Sequence, residues 1–391
     1  MADVTQGDIW LLGIQILLYS IAAVFMLRRW HSVFWGMRQG RWALGLAGLA
    51  LISAIWSVNP SFTMRRALAV LATTAFGVYF GTSFERRDQL RLLCRACGLL
   101  AVLSALAALL FPGYGVDHAY RDGEWIGVFA NNNILGRVMV LGCIAFLFSS
   151  SRNRRHAVRN YCWAAFCLAV GWMSGSRTAL MAFVAVLFAS IIYRLVARRR
   201  ATEAIPGLIV CGIGGLLLAA LIWRESGQVL ALIGRDATLT GRTYLWDAVL
   251  LAIWKRPWLG YGFNAFWAGI SGPSLSVAVQ ARWVASHAHN GFLDLWLNVG
   301  IAGLLLFVIG FGARMRRAVM ECRPGIAESY WPVLFLTLLF VYNITESSIL
   351  MVNGLFWMLY AALLASGSMW TWQQQLSRSL RTSSSSVFLN G

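Results

Sequence analysis

Charge is scarce in this sequence. Only 12% of its 391 residues are charged, where a soluble domain carries about 25%, so the chain is not built as an ordinary soluble globule. Lysine is nearly absent: Lys255 is the only one, and the net charge of +18 is almost entirely arginine. No DNA- or RNA-binding motif accompanies that charge, so no nucleic-acid partner is expected. The opening stretch "MADVTQGDIW" has neither the basic n-region nor the small-residue cleavage site of a signal peptide. Its first apolar run is therefore expected to remain as a membrane helix. No internal repeat stands out. All seven cysteines fall in apolar runs or basic linkers, which argues against disulfides. The Cys94-x-x-Cys97 pair lies in an apolar run, where buried thiols pack as small hydrophobes.

What the chain has instead is apolar surface. It is 59% hydrophobic, with nineteen tryptophans, a residue that favours the membrane–water boundary. Apolar runs of ~18 to 21 residues recur, long enough to cross a hydrocarbon core of about 30 Å as helices. The fold class is therefore an all-α polytopic membrane protein. Eleven spans are expected, at about 8–27, 42–57, 66–83, 92–111, 134–150, 161–175, 178–196, 205–223, 291–311, 330–346 and 351–369. Alternate linkers (28–41, 84–91, 151–160, 194–203 and 312–329) together with the tail carry 21 of the 33 basic residues. The positive-inside rule places that set in the cytoplasm and the other linkers outside. The chain then divides into transmembrane helices over 1–223, a large external loop over 224–290, C-terminal transmembrane helices over 291–369 and a Ser-rich cytoplasmic tail over 370–391. Its arginines would also meet anionic lipid headgroups.

Long loops in compact proteins tend to be functional, and this one has helical patterning. In "TYLWDAVLLAIW" (243–254), Leu245, Trp246, Val249, Leu250, Ile253 and Trp254 recur at helical spacing. That predicts a short amphipathic helix lying on the bundle or in the interface. Thr240 or Gly241 would open it, near Arg242. Pro257 ends it, and Gly260 and Gly262 permit a tight turn. Trp258, Tyr261, Phe263, Phe266 and Trp267 follow; they suit packing of the cap or, alternatively, stacking against sugar.

Ionisable groups at membrane level are costly and need a reason. Arg177 sits in a tight external hairpin. Arg137 lies a turn below the asparagines 131–133, including Asn133. Arg242 opens the loop helix, and Glu346 ends a span on the same face. Several guanidiniums there would form a cationic pocket suited to phosphate or pyrophosphate; snorkelling or pairing with Glu346 or Asp294 is the simpler alternative. His287 and His289 stand at the doorstep of the span at 291. They suit acid–base chemistry near neutral pH. Metal ligation with nearby carboxylates is the competing reading, and interfacial packing a third; no metal or other cofactor is expected.

Together these residues resemble the O-antigen ligase family of bacterial membrane glycosyltransferases (Wzy_C type). His289–Asn290, nine residues, then Gly300–Ile301–Ala302–Gly303 follows the family's pattern. "TGRTYLWDAVLLAIWKRPWLGYGFNAFW" resembles its GR-x-x-x-W…P-x-x-G-x-G segment, "GVFANNNILG" its G-x-F…N-x-x-G element and "GSRTAL" its S-R-[TG] element. The likeness spans about 125–350. Members typically carry twelve spans with both termini in the cytoplasm, one more than counted above. The resemblance implies transfer of a glycan from undecaprenyl diphosphate to the lipid A–core oligosaccharide, at the periplasmic face of the inner membrane. It implies His289 as general base and Arg177 and Arg242 as diphosphate ligands. Arg137, Asn133, His287 and Glu346 would line the pocket, and the reaction would be inverting and metal-independent. Gly300 and Gly303 would allow close helix packing beneath the site. A polymerase or a protein O-oligosaccharyltransferase shares the donor, and a lipid-linked-sugar transporter is a more distant alternative.

Overall fold

The computed structural model describes residues 6–118, 123–149, 153–196, 242–269, 272–282 and 284–366. It is all-α apart from one two-residue hairpin. The helices in chain order are α1 (Gln6–Arg28), α2 (Trp30–Gln39), α3 (Arg41–Ile52), α4 (Pro60–Ser83), α5 (Arg86–Leu110) and the single turn α6 (Pro112–Gly115). Then come α7 (Asn132–Phe148), α8 (Arg154–Met173), α9 (Arg177–Val196), α10 (Arg242–Lys255), α11 (Ser274–Ala281), α12 (Gly291–Glu321), α13 (Trp331–Thr345) and α14 (Leu355–Ala365). Strands β1 (Val116–Asp117) and β2 (Glu124–Trp125) pair antiparallel between α6 and α7. Ten of the eleven expected spans coincide with helices; the one at 205–223 lies outside the described residues, as do 224–241 and the tail. Among the described residues, Arg86–Leu110, Arg177–Leu195, Gly291–Glu321 and Ala327–Thr345 are long and apolar enough to cross a membrane, and shorter apolar helices accompany them.

The packing is inverted relative to a soluble bundle. On α9 the exposed residues are Met181, Val184, Phe188, Ile191 and Leu195, at helical spacing, while Ala179, Ala182, Val186 and Ser190 are buried. On α5, Leu99, Leu103, Leu106 and Leu110 face out and Cys97, Ala101, Ser104 and Ala108 face in. Small residues let membrane helices approach closely, and large apolar ones meet lipid. Cys94 and Cys97 are buried free thiols, in line with their packing role.

Two local readings change. Residues 28–41 are not a bare linker, because α2 occupies them. Its Val33 is buried and Gly36 packs so closely on α4 that a Cβ would fall 2.3 Å from the Thr82 methyl. The second is Gly300. It is not a helix–helix packing glycine; it breaks α12, with φ 71° and ψ −175° after a non-helical Val299. The turn that follows α10 fills the break. Tyr261 N–H donates to Leu297 O (2.9 Å), Gly262 N–H to Asn298 O (3.0 Å), and Ile301 N–H to Pro257 O (2.9 Å). The groups freed by the break are thereby satisfied, as burial requires. Gly303 sits against the Val299 side chain and Leu49.

Candidate active site

Glu346 is the first residue beyond α13. Its chain is extended there, and its carbonyl accepts from Gly291 N–H (3.0 Å) at the start of α12. Four side chains converge on its carboxylate, which is only 8% exposed. Oε1 accepts from Arg242 Nη2 (2.8 Å) and Asn133 Nδ2 (3.1 Å). Oε2 faces His289 Nδ1 at 3.3 Å and His287 Nε2 at 3.6 Å. Arg242 also donates from Nη1 to Thr345 O (2.7 Å).

Each donor is held in place by its own segment. The three asparagines before α7 divide the work. Asn131 caps the helix by accepting from Ile134 N–H. Asn132 donates to Glu124 (2.6 Å) and Ser174 O (3.1 Å). Asn133 reaches Glu346, and Ser176 Oγ donates to its Oδ1 (2.8 Å). Asn290 caps α12 by accepting from Phe292 and Leu293 N–H, and donates to Ile344 O (3.1 Å). It thus binds α12 to α13 directly beside Glu346.

The residue between the two histidines is clamped at both backbone groups. Ala288 N–H donates to the Asp294 carboxylate (3.0 Å to each oxygen), and Ala288 O accepts from Trp246 Nε1 (2.9 Å). Asp294 further accepts from Trp267 Nε1 (2.9 Å) and from Ser347 Oγ. His289 itself adopts φ +48°, a left-handed conformation that costs a non-glycine residue energy and tends to mark functional positions. The two rings lie 4.0 Å apart between centroids.

The electrostatics separate the pair. Burial works to lower the His287 pKa, but its contact with Glu346 and the charges of Asp294 and Glu346 outweigh that and raise it. For His289, burial also lowers the pKa. There the neighbouring His287 and Arg242 act in the same direction, and the Glu346 contact does not compensate. Burial would raise the Glu346 pKa, yet the two histidines and Arg242 hold it well below the usual carboxylate range. A carboxylate only accepts, so His289 carries its proton on Nδ1, and Nε2 is its basic nitrogen.

The remaining sequence candidates fall at different depths. Arg177 opens α9 and is exposed at the rim. Both its neighbours touch the cluster: Ser176 through Asn133, and Thr178 Oγ1 at 3.5 Å from Thr345 Oγ1. Arg137 lies one turn below Asn133, 9% exposed, its guanidinium 5.4 Å from the ring centroids of both Tyr342 and Phe356. It supports the site from beneath by cation–π contact. Trp246, Ser176 and Ser347 are site members that sequence reasoning missed, and Asp294, named there only as a partner for arginine, instead accepts from Ala288, Trp267 and Ser347. For Trp246 a signal was present: Arg242 and Trp246 are four apart, hence on one helix face.

His287, His289 and Glu346 bring donor atoms within 4.8 Å of one another, a grouping that a metal ion would also need. Glu346 is already neutralised by Arg242, and a guanidinium at 2.8 Å disfavours a second cation on the same carboxylate.

The O-antigen ligase family model (Wzy_C) matches residues 162–308, which include Arg177, Arg242 and His289. The exopolysaccharide production protein ExoQ of Rhizobium meliloti (strain 1021) is 29% identical over 323 residues, covering 78% of this chain and 72% of that protein. A putative polysaccharide ligase of Rickettsia felis is 24% identical over 277 residues, covering 66% of this chain and 63% of that protein. The domain match, the extended similarity to ExoQ and the all-α membrane architecture agree in likening this chain to the O-antigen ligase family (Wzy_C).

Proposed function

We propose that this protein transfers a glycan from undecaprenyl diphosphate to a hydroxyl of an acceptor saccharide, with His289 as general base. The observation that carries this reading is the His289–Glu346 pair: an imidazole kept neutral, with its basic nitrogen directed by a buried carboxylate. His289 Nε2 takes the acceptor hydroxyl proton. The oxygen attacks the anomeric carbon as the bond to the diphosphate breaks, and the diphosphate departs still attached to its lipid. A single displacement inverts the anomeric centre. Arg177 at the rim, with the N–H groups of Arg242 beyond those bound to Glu346 and Thr345, receives the leaving diphosphate, whose growing charge a guanidinium stabilises. Arg137 adds positive charge from below. Asn133 and His287 hold Glu346 and the base in register. No step requires a metal.

The lipid A–core oligosaccharide is the acceptor under the ligase reading, and the site then faces the periplasm, with residues 224–290 as the external loop. The name of the Rhizobium relative favours a second reading, in which the acceptor is another lipid-linked glycan and the product a longer polysaccharide. Both use the same donor and base.

The test is transfer by purified full-length protein in detergent, supplied with an undecaprenyl-diphosphate-linked glycan and each acceptor in turn, with and without a chelator. The wild type transfers in both conditions. His289→Ala lowers the rate by about 10²–10⁴, the usual worth of a general base, while eluting like the wild type. Wild-type rates from His289→Ala would refute the assignment, and loss of transfer on chelation would replace the proton chemistry with a metal. A chain that only moves the intact donor across a bilayer would be a transporter.

A further inference from the structure

Of the five aromatics that follow α10, Tyr261, Phe263 and Phe266 are buried and Trp258 is 74% exposed. Trp267 does neither. Trp267 lines a half-open cavity of about 180 Å³ with Gly269, Ser274, Ala278, Val284, Ala285 and Ser286. The ring is fixed twice, by the Nε1–H bond to Asp294 (2.9 Å) and by an edge-on contact with Phe266 (4.9 Å between centroids). The same Asp294 holds the Ala288 backbone between the histidines, so this wall is rigidly referenced to His289.

The lining is neutral: no charged side chain is among the described residues that form it. An anion therefore finds nothing there. An aromatic side chain, small apolar walls and serine hydroxyls suit the C–H face and hydroxyls of a sugar ring. The volume lies below the ~300–1,000 Å³ of ordinary ligand pockets, the scale of a single ring. The cavity also has a direct path to the reaction centre. Ser286 Oγ is 3.0 Å from His287 Nδ1, and His287 faces Glu346 Oε2. Arg242 binds the other oxygen, Oε1. Glu346 thus separates the Arg242 guanidinium on Oε1 from His287 and the cavity on the Oε2 side.

We propose that this cavity is the subsite for the acceptor's terminal sugar, a neutral pyranose stacked on Trp267. The inference rests on the transfer reading above. The test uses full-length Ala278→Leu, which fills the cavity from a helical position, and Trp267→Phe, which keeps a ring but loses the bond to Asp294. Initial rates are measured while donor and acceptor are varied separately. Ala278→Leu raises the acceptor KM by about tenfold or more, the scale on which a site rejects added methylenes. Its donor KM and its kcat at saturating acceptor stay within about twofold. Trp267→Phe raises the acceptor KM less. A second readout avoids turnover: acceptor binding to His289→Ala is retained, and is weakened by adding Ala278→Leu. An unchanged acceptor KM in Ala278→Leu, or an equal rise in donor KM, overturns the subsite while the transfer reading stands. Absence of transfer by the wild type overturns both.

Discussion

At His289 three separate influences act on one imidazole. The left-handed backbone aims it, Glu346 sets its tautomer, and burial together with His287 lowers its pKa. As the proposed base, His289 acts in its neutral form, so kcat/KM is expected to fall as pH drops through that lowered pKa, with the acid limb below the ordinary histidine value. His287→Gln removes a neighbouring cation and a competitor for Glu346 Oε2. Both changes raise the His289 pKa, so the acid limb moves to higher pH. A pH–rate profile that keeps its midpoint would show that the two rings are not coupled. The sequence displayed these residues individually, because Arg242, His289 and Glu346 each stand at the outer end of an apolar or amphipathic run. Pairing of an arginine with Glu346 was among the readings those charges offered, and Arg242 makes that pair; the contacts of Asp294 were not displayed. Asp294 looks like an ordinary acid in the first turn of a helix, and only the fold shows that its carboxylate reaches back to Ala288 and across to Trp267 and Ser347.

Among the elements, α12 departs furthest from its sequence pattern. Residues 291–311 form one apolar run, and apolarity does not register a backbone break. The break depends on a contact made far away in the chain, by the turn at 257–262. A Cβ at Gly300 would sit 2.0 Å from Trp258 O, on a backbone at φ +71°. Gly300→Ala is expected to lose on the order of 1–3 kcal/mol from backbone strain alone, and more from the clash. Gly312→Ala, in the same helix with nothing within 4 Å, is the control and is neutral or slightly stabilising. Thermal unfolding of the two proteins in detergent measures the difference. Equal midpoints would mean that the break is not required. Helix α10 was legible as a helix, but not as an amphipathic one: Trp254, expected on its packed face, is 66% exposed and Leu251 is 55% exposed, while Arg242 and Trp246 reach Glu346 and Ala288 O.

For the whole molecule, alternating charge gave the expected sidedness, and the described helices keep the site at one end of the bundle and the Arg314–Glu321–Arg86 contacts near the other end of α12. The topology is tested with single cysteines in a background with all seven native cysteines replaced. Val279→Cys, 70% exposed on α11, should label with an impermeant maleimide in intact spheroplasts. Ile326→Cys, 46% exposed between α12 and α13, should label only after permeabilisation. The opposite pattern would invert the orientation and place the site in the cytoplasm. The geometry of Glu346 also has a consequence in time. Its partners Asn133, Arg242 and His289 lie 213, 104 and 57 residues earlier in the chain. The ribosome therefore supplies the carboxylate last, and a chain still being inserted has its base without the group that orients it. Under the proposed transfer chemistry such a chain is expected to be inactive until its final helices enter the bilayer, which spares lipid-linked substrate from half-made protein.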